Sequence, residues 1–265
     1  MLILMPFPEK NRVKFNNNPL IEVVCQLTFS QKLYGKDSTF ENDAASIHDE
    51  IKSELPFFTK AKSVSIEIES SNQKVKHNEV EVFEYSSQDQ TSKVILSPDS
   101  FTLVITKYEG WQSFYKLLSF VVSKLEKYSA TKSYKRIGLR YKDIIQRSSL
   151  GLSPSVRWHE LLNDKLTCLL QNDEFSEKIK GLQSSFIMDL SDIDEHSRMS
   201  STYGIVSHSE TKETCFMVDS DFYVEGEITN DSSKKYLDAF NLKSRNYFQW
   251  CLKERLYSAL QPTEI

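Results

Sequence analysis

The chain has 265 residues, of which 39% are hydrophobic and 12% aromatic, so it is long enough and apolar enough to fold around a substantial core. This composition excludes a largely disordered protein. Its 33 basic and 37 acidic side chains give a formal net charge of -4, which excludes a generally basic nucleic-acid-binding protein but permits a local basic patch.

The cysteines and the apolar segments indicate the cellular compartment. The first six residues, MLILMP, are too short for the core of a signal peptide, and no later apolar run approaches the roughly 20 residues that cross a bilayer. Widely spaced cysteines among apolar neighbours predict buried free thiols in a reducing environment. These are Cys25, Cys168, Cys215 and Cys251. We therefore expect a cytoplasmic protein that does not engage a membrane.

The first half of the chain predicts the element order β-α-β4-α. An extended arm over residues 1–17 leads into a strand from Pro19 to Phe29, in which apolar residues alternate with mostly polar ones. A capping box at Ser38 and Glu41 begins a helix that ends before Pro56. Four strands and a helix with one broad apolar stripe then follow. The strands are predicted at Val64–Glu69, Val80–Tyr85, Lys93–Leu96 and Phe101–Tyr108, and the apolar stripe of the helix runs from Trp111 to Leu125.

The second half predicts the same order again. It opens with the strand Arg136–Ile145, and a helix carries Trp158, Leu162, Leu166 and Leu169. A last helix is predicted from about residue 232 to residue 260. Four strands are predicted between these two helices, at Leu182–Leu190, Arg198–His208, Thr214–Val218 and Phe222–Ile228.

We interpret the two matching halves, residues 18–130 and 131–265, as a tandem duplication within one domain. The segment after Lys93 can be aligned with the segment after Thr214, which places Phe101 on Phe222 and nearly superposes two Asp-Ser turns. The alternative is an accidental match, because α+β chains often share element orders. Duplicated halves would share one continuous antiparallel sheet with helices on one face and the other face open.

This α+β arrangement resembles the saddle of the TATA-box-binding protein fold. The resemblance is one of topology, since the chain lacks the net basic charge of that family. It also lacks a matched pair of aromatic wedges of the kind that kink DNA.

Three segments resemble the signature blocks of a known family. They are NPLIEVVCQLTF at 18–29, SPDSFTLVITKYEGWQSF at 97–114 and RIGLRYKDII at 136–145. Blocks like these, in this order, are typical of a sporadically distributed bacterial family of proteins of about this length that has no settled biochemical role. That family often has Asn close after the Arg-Tyr pair, where this chain has Lys142 and Asp143. The resemblance implies patchy occurrence, as in toxin-antitoxin or phage-defence loci, and supplies no catalytic residues.

Motifs of common catalytic and cofactor sites are missing from the sequence. It has only seven glycines and no GxGxxG, GxxxxGK[ST] or GxSxG pattern, so phosphate cradles and a nucleophile elbow are not expected. The histidines lack metal-ligand spacing, and we expect no cofactor. Asp189, Asp192, Asp194 and Glu195 have the oxygen ligands for a divalent ion, but a solvated hairpin loop explains them as well.

The strand that opens the second half predicts a binding surface. Ile137, Leu139 and Tyr141 alternate with cations, so an apolar row faces the core and a basic row faces solvent or a partner. Exposed arginines suit phosphate or carboxylate recognition, although pairs with acidic side chains on neighbouring strands are the alternative. The candidate binding residues are Arg136, Arg140, Lys142 and Lys132, with Glu22 and Gln26 on the strand expected in the equivalent place.

The last predicted helix carries more aromatic side chains than one buried stripe can use. We expect Tyr247, Trp250 and Tyr257 to face a partner, which is a neighbouring protein or a second copy of the chain.

These patterns favour three functions. The first is a non-enzymatic binding or scaffold protein for a macromolecular partner, protein or nucleic acid, in an anti-phage defence or toxin-antitoxin locus. The second is a nucleic-acid-binding module that uses the basic row. The third is a metal-dependent enzyme acting on a nucleotide or other anionic small molecule, with Asp189, Asp192 or Asp194 as ligands.

Overall fold

The computed structural model describes residues 7–33, 39–69, 74–128, 133–176 and 178–265. It is an α+β structure with a nine-stranded antiparallel sheet and a small two-stranded sheet. The strands are β1 Val13–Phe15, β2 Leu20–Phe29, β3 Phe57–Glu69, β4 Lys74–Ser86, β5 Ser92–Leu96, β6 Ser100–Ile105, β7 Ser133–Ile145, β8 Leu182–Asp189, β9 Ser197–Ser207, β10 Thr214–Thr229 and β11 Pro262–Glu264. The helices are α1 Phe40–Ile51, α2 Trp111–Leu125, α3 Trp158–Leu161, α4 Asp173–Ser176, α5 Asn230–Cys251 and α6 Glu254–Ala259.

The large sheet has the strand order β3-β4-β5-β6-β2-β7-β10-β9-β8. The chain divides into two compact units. The terminal unit comprises Met1–Val23, Leu139–Val224 and Lys234–Ile265, and the central unit comprises Val24–Gly138 and Glu225–Ser233.

The central unit is built on the β3-β4-β5-β6 meander and the helices α1 and α2. Thr39 caps α1 by accepting a hydrogen bond from the Asn42 backbone N–H, whereas the predicted cap Ser38 lies outside the described residues. α1 packs on the apolar face of the meander, where the buried Tyr85 hydroxyl donates to the Ala44 carbonyl at 3.0 Å. The alternating apolar residues of β5 and β6 complete this core.

The terminal unit is built on β7, β10, β9 and β8, with α5 packed on their apolar face. Tyr247 of α5 shares a hydrogen bond of 2.7 Å with Ser201 of β9. Asn241, between one and two helical turns earlier, donates to the Tyr141 hydroxyl of β7 at 2.7 Å. These two contacts define the face that α5 covers, and the alternate residues of the same strands form the other face, which we call the open face.

The described part of the predicted arm, residues 7–17, packs within the terminal unit. Its β1 pairs antiparallel with β11, the last strand of the chain, with Val13 opposite Glu264. Within the described residues no helix is long and apolar enough to cross a membrane.

The prediction of two strands between Thr214 and Ile228 is wrong, because β10 runs through the whole segment. Every residue from Thr214 to Val224 pairs with β9. The alternation continues through Val218, Ser220 and Phe222, all of which are buried. The true turn at Ser97–Ser100 contains Pro98, and the aligned segment has no proline. The described residues of the second half therefore lack the fourth strand on which the matching element orders depended, and the duplication stays a prediction.

The prediction of one long C-terminal helix is also wrong. α5 ends at Cys251, and Leu252 forms an isolated β-bridge with Leu162. The Asn163 N–H bonds to the Cys251 carbonyl at 2.8 Å, and the Lys253 N–H bonds to the Leu161 carbonyl at 2.9 Å. These bonds replace the helical ones and separate α5 from α6.

The helix predicted from Trp158 to Leu169 is a single turn, α3, followed by a 3-10 turn at Cys168–Leu170. This turn exposes Cys168, so the prediction of four buried thiols is wrong for that residue. The thiols of Cys25, Cys215 and Cys251 are buried.

Candidate functional site

Arg140 of β7 makes a two-point polar contact on the open face of the terminal unit. Its Nε lies 2.7 Å from Asp219 Oδ1 and its Nη2 lies 2.5 Å from Asp219 Oδ2. This two-point geometry matches the planar guanidinium to the planar carboxylate. A strand neighbour thus occupies two of the Arg140 donors, and anion binding by Arg140 stays a prediction.

More than one carboxylate acts on the Arg140 guanidinium. The hydrogen bonds that Arg140 donates to Asp219 raise the pKa of Arg140, burial opposes this, and the charges of Glu22 and Asp221 raise the pKa further. Three carboxylates thus act on one guanidinium, and the group carries a net negative charge. We call Glu22, Arg140, Asp219 and Asp221 the acidic patch.

The strand register extends the open face from the acidic patch toward β8. Asp219 stands opposite Thr202, and Asp221 stands opposite Ser200. Opposed residues on antiparallel strands share a face, so Ser185 and Ile187 of β8 continue these two rows. The face is thus composed mainly of half-exposed or exposed polar side chains, with the exposed Ile187 at its edge.

Arg136 belongs to the central unit and hydrogen bonds to Gln26 of β2 at 3.2 Å. Its side chain lies over Gly138, where an added Cβ would come within 2.6 Å of Arg136 Nη1. Glycine at position 138 therefore makes room for Arg136 to lie along the strand. β7 and β2 are neighbours in the sheet, and this amide-guanidinium bond joins their side chains.

The remaining predicted cations differ in their surroundings. Lys142 is half-exposed on β7, and Lys132 lies outside the described residues. On the described strands the predicted basic row is thus one ion-paired arginine, one amide-bonded arginine and one half-exposed lysine.

The aromatic side chains predicted to face a partner contact the arm of the same chain. Tyr247 is buried, with 1% of its surface exposed, so the prediction of a partner-facing ring is wrong for this residue. Phe7 packs against Tyr247 and Trp250, with ring centroids 4.9 and 5.3 Å away. Phe15 makes an edge contact with Tyr257 at 5.8 Å. Sequence reasoning missed this because residues 7–15 have no periodicity that indicates burial.

The acidic loop between β8 and β9 has partners within the protein. Asp189 pairs with Arg198, and Asp192 forms an ion pair with the buried Lys243 of α5. Asp194 accepts a hydrogen bond from the Tyr236 hydroxyl at 3.2 Å. Among the residues that the structure describes, no group of three or more histidine, cysteine or acidic side chains is arranged to hold a metal ion.

A buried polar cluster on the covered face was missed at the sequence level. Asp143 follows Tyr141 in the β7 alternation and is 5% exposed. Burial, followed by repulsion from Asp219, raises the pKa of Asp143 to about 8. The alternation itself contained the signal, because it places Asp143 in the apolar row of Tyr141 and Ile145.

The cluster continues into α5. Burial raises the pKa of the Cys251 thiol, a hydrogen bond with Tyr247 lowers it, and the charge of Asp143 raises it further. Burial likewise raises the pKa of the Tyr247 hydroxyl. A buried thiol with a raised pKa is a poor nucleophile, so this arrangement stabilises packing and does not activate Cys251.

No family model matches the chain, and a search of curated proteins finds no relative. Membership in the bacterial family that the three sequence blocks resemble is therefore a proposal.

Proposed function

We propose that the chain is a non-enzymatic binding protein that engages a protein partner through the acidic patch. The observation that supports this is the two-point Arg140–Asp219 pair, with Glu22 and Asp221 close enough to raise the pKa of Arg140. A group of three carboxylates around one guanidinium, beside rows of hydroxyl side chains, suits a protein surface that presents Lys or Arg.

Nucleic-acid binding is the second candidate, and the same observation weakens it. A phosphate would have to displace the Asp219 carboxylate from Arg140, and it would be repelled by Glu22 and Asp221. Lys142 is half-exposed, which keeps a phosphate contact available on β7.

A metal-dependent enzyme is the third candidate. Its predicted ligands Asp189, Asp192 and Asp194 are each engaged with Arg198, Lys243 or Tyr236. Metal binding would first have to break these contacts. A metal-dependent turnover that is lost in Asp192→Asn would establish this third function instead.

The cellular setting that we propose is an anti-phage defence or toxin-antitoxin locus, as the family resemblance implies. The partner is then encoded by a neighbouring gene. This setting is independent of the acidic patch, since a partner can be encoded nearby and bind elsewhere.

The decisive experiment measures binding of the purified neighbouring gene product by calorimetry at low and high salt. We expect the affinity to fall as salt rises and to fall about tenfold or more in Glu22→Lys, because that change reverses one charge of the acidic patch. Lys116→Glu, an equally large charge reversal on the exposed surface of α2, is the matched control and leaves the affinity unchanged.

Fluorescence anisotropy with single- and double-stranded oligonucleotides separates the second candidate. We expect no binding by the wild-type protein at moderate salt. Oligonucleotide binding that falls steeply with salt and is weakened by Arg140→Glu would replace the protein-partner proposal with nucleic-acid recognition.

A further inference from the structure

Strand β8 is an outer strand of the large sheet and has unpaired backbone groups on one side. Its register with β9 is unbroken from Leu182 opposite Ile205 to Asp189 opposite Arg198. The next residue, Leu190, donates its N–H to the Ser197 carbonyl at 2.8 Å, which marks a hydrogen-bonded pair. Such pairs recur at every second residue of an antiparallel ladder.

Because hydrogen-bonded pairs alternate along the ladder, they show which backbone groups of β8 point away from β9. The even-numbered residues of β8 bond to β9, so the N–H and C=O groups of the odd-numbered residues point away from it. These outward residues are Gln183, Ser185, Ile187 and Asp189. In the described part of the chain no further strand lies beside them.

β8 also has few of the features with which natural proteins protect an outer strand. Its eight residues, LQSSFIMD, include no proline and no lysine, and its register has no bulge. Ile187 is 69% exposed, which is the highest value among the exposed large hydrophobic residues of the described chain. The strand is also held closely to β9, since a Cβ at Gly204 would lie 1.9 Å from the Leu182 carbonyl oxygen.

We propose that β8 pairs antiparallel with β8 of a second copy of this chain, with Phe186 opposite its own counterpart on the two-fold axis. This pairing goes beyond the proposed function, because it uses the sheet edge and leaves the acidic patch free. It joins Gln183 to Asp189 and Ser185 to Ile187 across the axis. All four outward residues then exchange hydrogen bonds with the second copy, about eight bonds in all.

The strand is complementary to itself in this register. Opposed residues lie on the same face of the sheet, as pairing requires. Asp189 is the single charged residue of β8, and it meets the Gln183 amide, so no like charges are opposed. Arg198 on the neighbouring strand already compensates the charge of Asp189.

The two-fold axis passes through a residue whose side chain can contact its counterpart closely. Phe186 is an inward-bonded residue, so its pair across the axis is a non-hydrogen-bonded one, in which side chains approach most closely. The ring already packs near Tyr203 and Tyr247, with centroids 6.3 Å away in both cases. The second Phe186 ring therefore extends an existing aromatic group.

An interface built on one eight-residue strand is small, so we expect a dissociation constant in the micromolar range rather than a permanent dimer. Sedimentation of the full chain over a series of micromolar concentrations then shows a monomer-dimer equilibrium. Ile187→Lys places a cation on the edge and should weaken dimerisation at least tenfold.

Ile21→Lys is the matched control, because it makes the same change at another exposed isoleucine, on β2. It should leave the dimerisation constant unchanged. Thermal melts of both variants show whether each is folded.

Disulfide crosslinking tests which residues of the two β8 strands are opposite each other. In a Cys168→Ser background, which removes the exposed native thiol, Phe186→Cys should form a crosslinked dimer under mild oxidation. Gln183→Cys should not, because its opposite residue is Asp189. A wild-type protein that is monomeric at every concentration, a dimer that Ile187→Lys does not weaken, or a crosslinked dimer of the Gln183→Cys variant would each overturn the proposal. Any of these results leaves the Glu22→Lys test of the acidic patch intact.

Discussion

Charged side chains on the two faces of β7 in the terminal unit are compensated in different ways. Arg140 points to the open face, where 43% of its side chain is exposed and Asp219 pairs with it. Asp143, three residues later, points to the covered face and is buried below α5. The charge of Arg140 is compensated by Asp219 and by water. The charge of Asp143 is largely removed by protonation, since the pKa of Asp143 is about 8.

This difference indicates where polar side chains affect the free energy of unfolding most. On the open face, water screens a broken ion pair, so its loss changes the free energy of unfolding little. On the covered face a charge or hydroxyl left without a partner carries its full desolvation cost. Polar substitutions should therefore be ranked by the burial of the groups that they leave without a partner rather than by the number of contacts that they remove.

The largest effect should be the pH dependence caused by Asp143. Its pKa is raised from 3.8 to about 8 on folding, so between these values the native state binds a proton that the unfolded state lacks. The free energy of unfolding then falls as pH rises through this window, on the order of 5 kcal/mol in total, and levels off above it. Urea unfolding at several pH values measures this slope.

Asp143→Asn is the control for this slope, because asparagine keeps the shape of the side chain and does not titrate. The difference between wild type and variant isolates Asp143 from every other titrating group. Equal slopes in the two proteins would show that Asp143 is ionised on the covered face, and the contrast between the faces would be lost.

Asp192→Asn should destabilise the protein by roughly 2–3 kcal/mol in urea unfolding. Lys243 is 6% exposed, and the substitution takes away its carboxylate partner while leaving a buried ammonium group. Asp164→Asn is the matched control, since its partner Lys253 is 36% exposed and Asp164 itself is 61% exposed. We expect a loss below about 1 kcal/mol there. Similar losses at the two sites would contradict the ranking by burial.

Tyr247→Phe should cost about 1–2 kcal/mol, because it leaves the Ser201 hydroxyl buried without this partner. The double variant with Ser201→Ala removes both groups and should recover part of the loss. A double-mutant cycle by urea unfolding gives the coupling energy of the pair. Additive losses would mean that the 2.7 Å contact contributes no coupling.

The alternation of β7 was enough to predict which of its residues are buried. It did not predict the partners of its charged side chains. It placed Ile137, Leu139 and Tyr141 in the core, and all three are buried. The partner of Arg140 was not predictable, because Asp219 lies 79 residues away and only the order of β7 and β10 in the sheet brings the two together. Asp143 was predictable from the same alternation, which puts it in the apolar row.

The elements themselves were predicted best where hydrophobic periodicity was long and unbroken. The apolar stripe from Trp111 to Leu125 predicted a helix, and α2 spans these residues. Local turn residues misled in β10, where the ladder with β9 overrides the turn tendency of Asp219 and Ser220. The break after α5 was invisible in the sequence, because it depends on backbone bonds to Leu161 and Asn163 from a distant segment.

The smallest effect should come from the open face itself. Asp219→Asn removes the carboxylate charge opposite Arg140, yet 43% of the Arg140 side chain is exposed, so water solvates the guanidinium that is left. We expect a loss below about 1 kcal/mol in urea unfolding, and a smaller loss at high salt, where the wild-type pair is screened. If Asp219→Asn instead costs as much as Asp192→Asn, the Arg140 pair holds the strands β7 and β10 together, and the acidic patch is a structural feature rather than a binding surface.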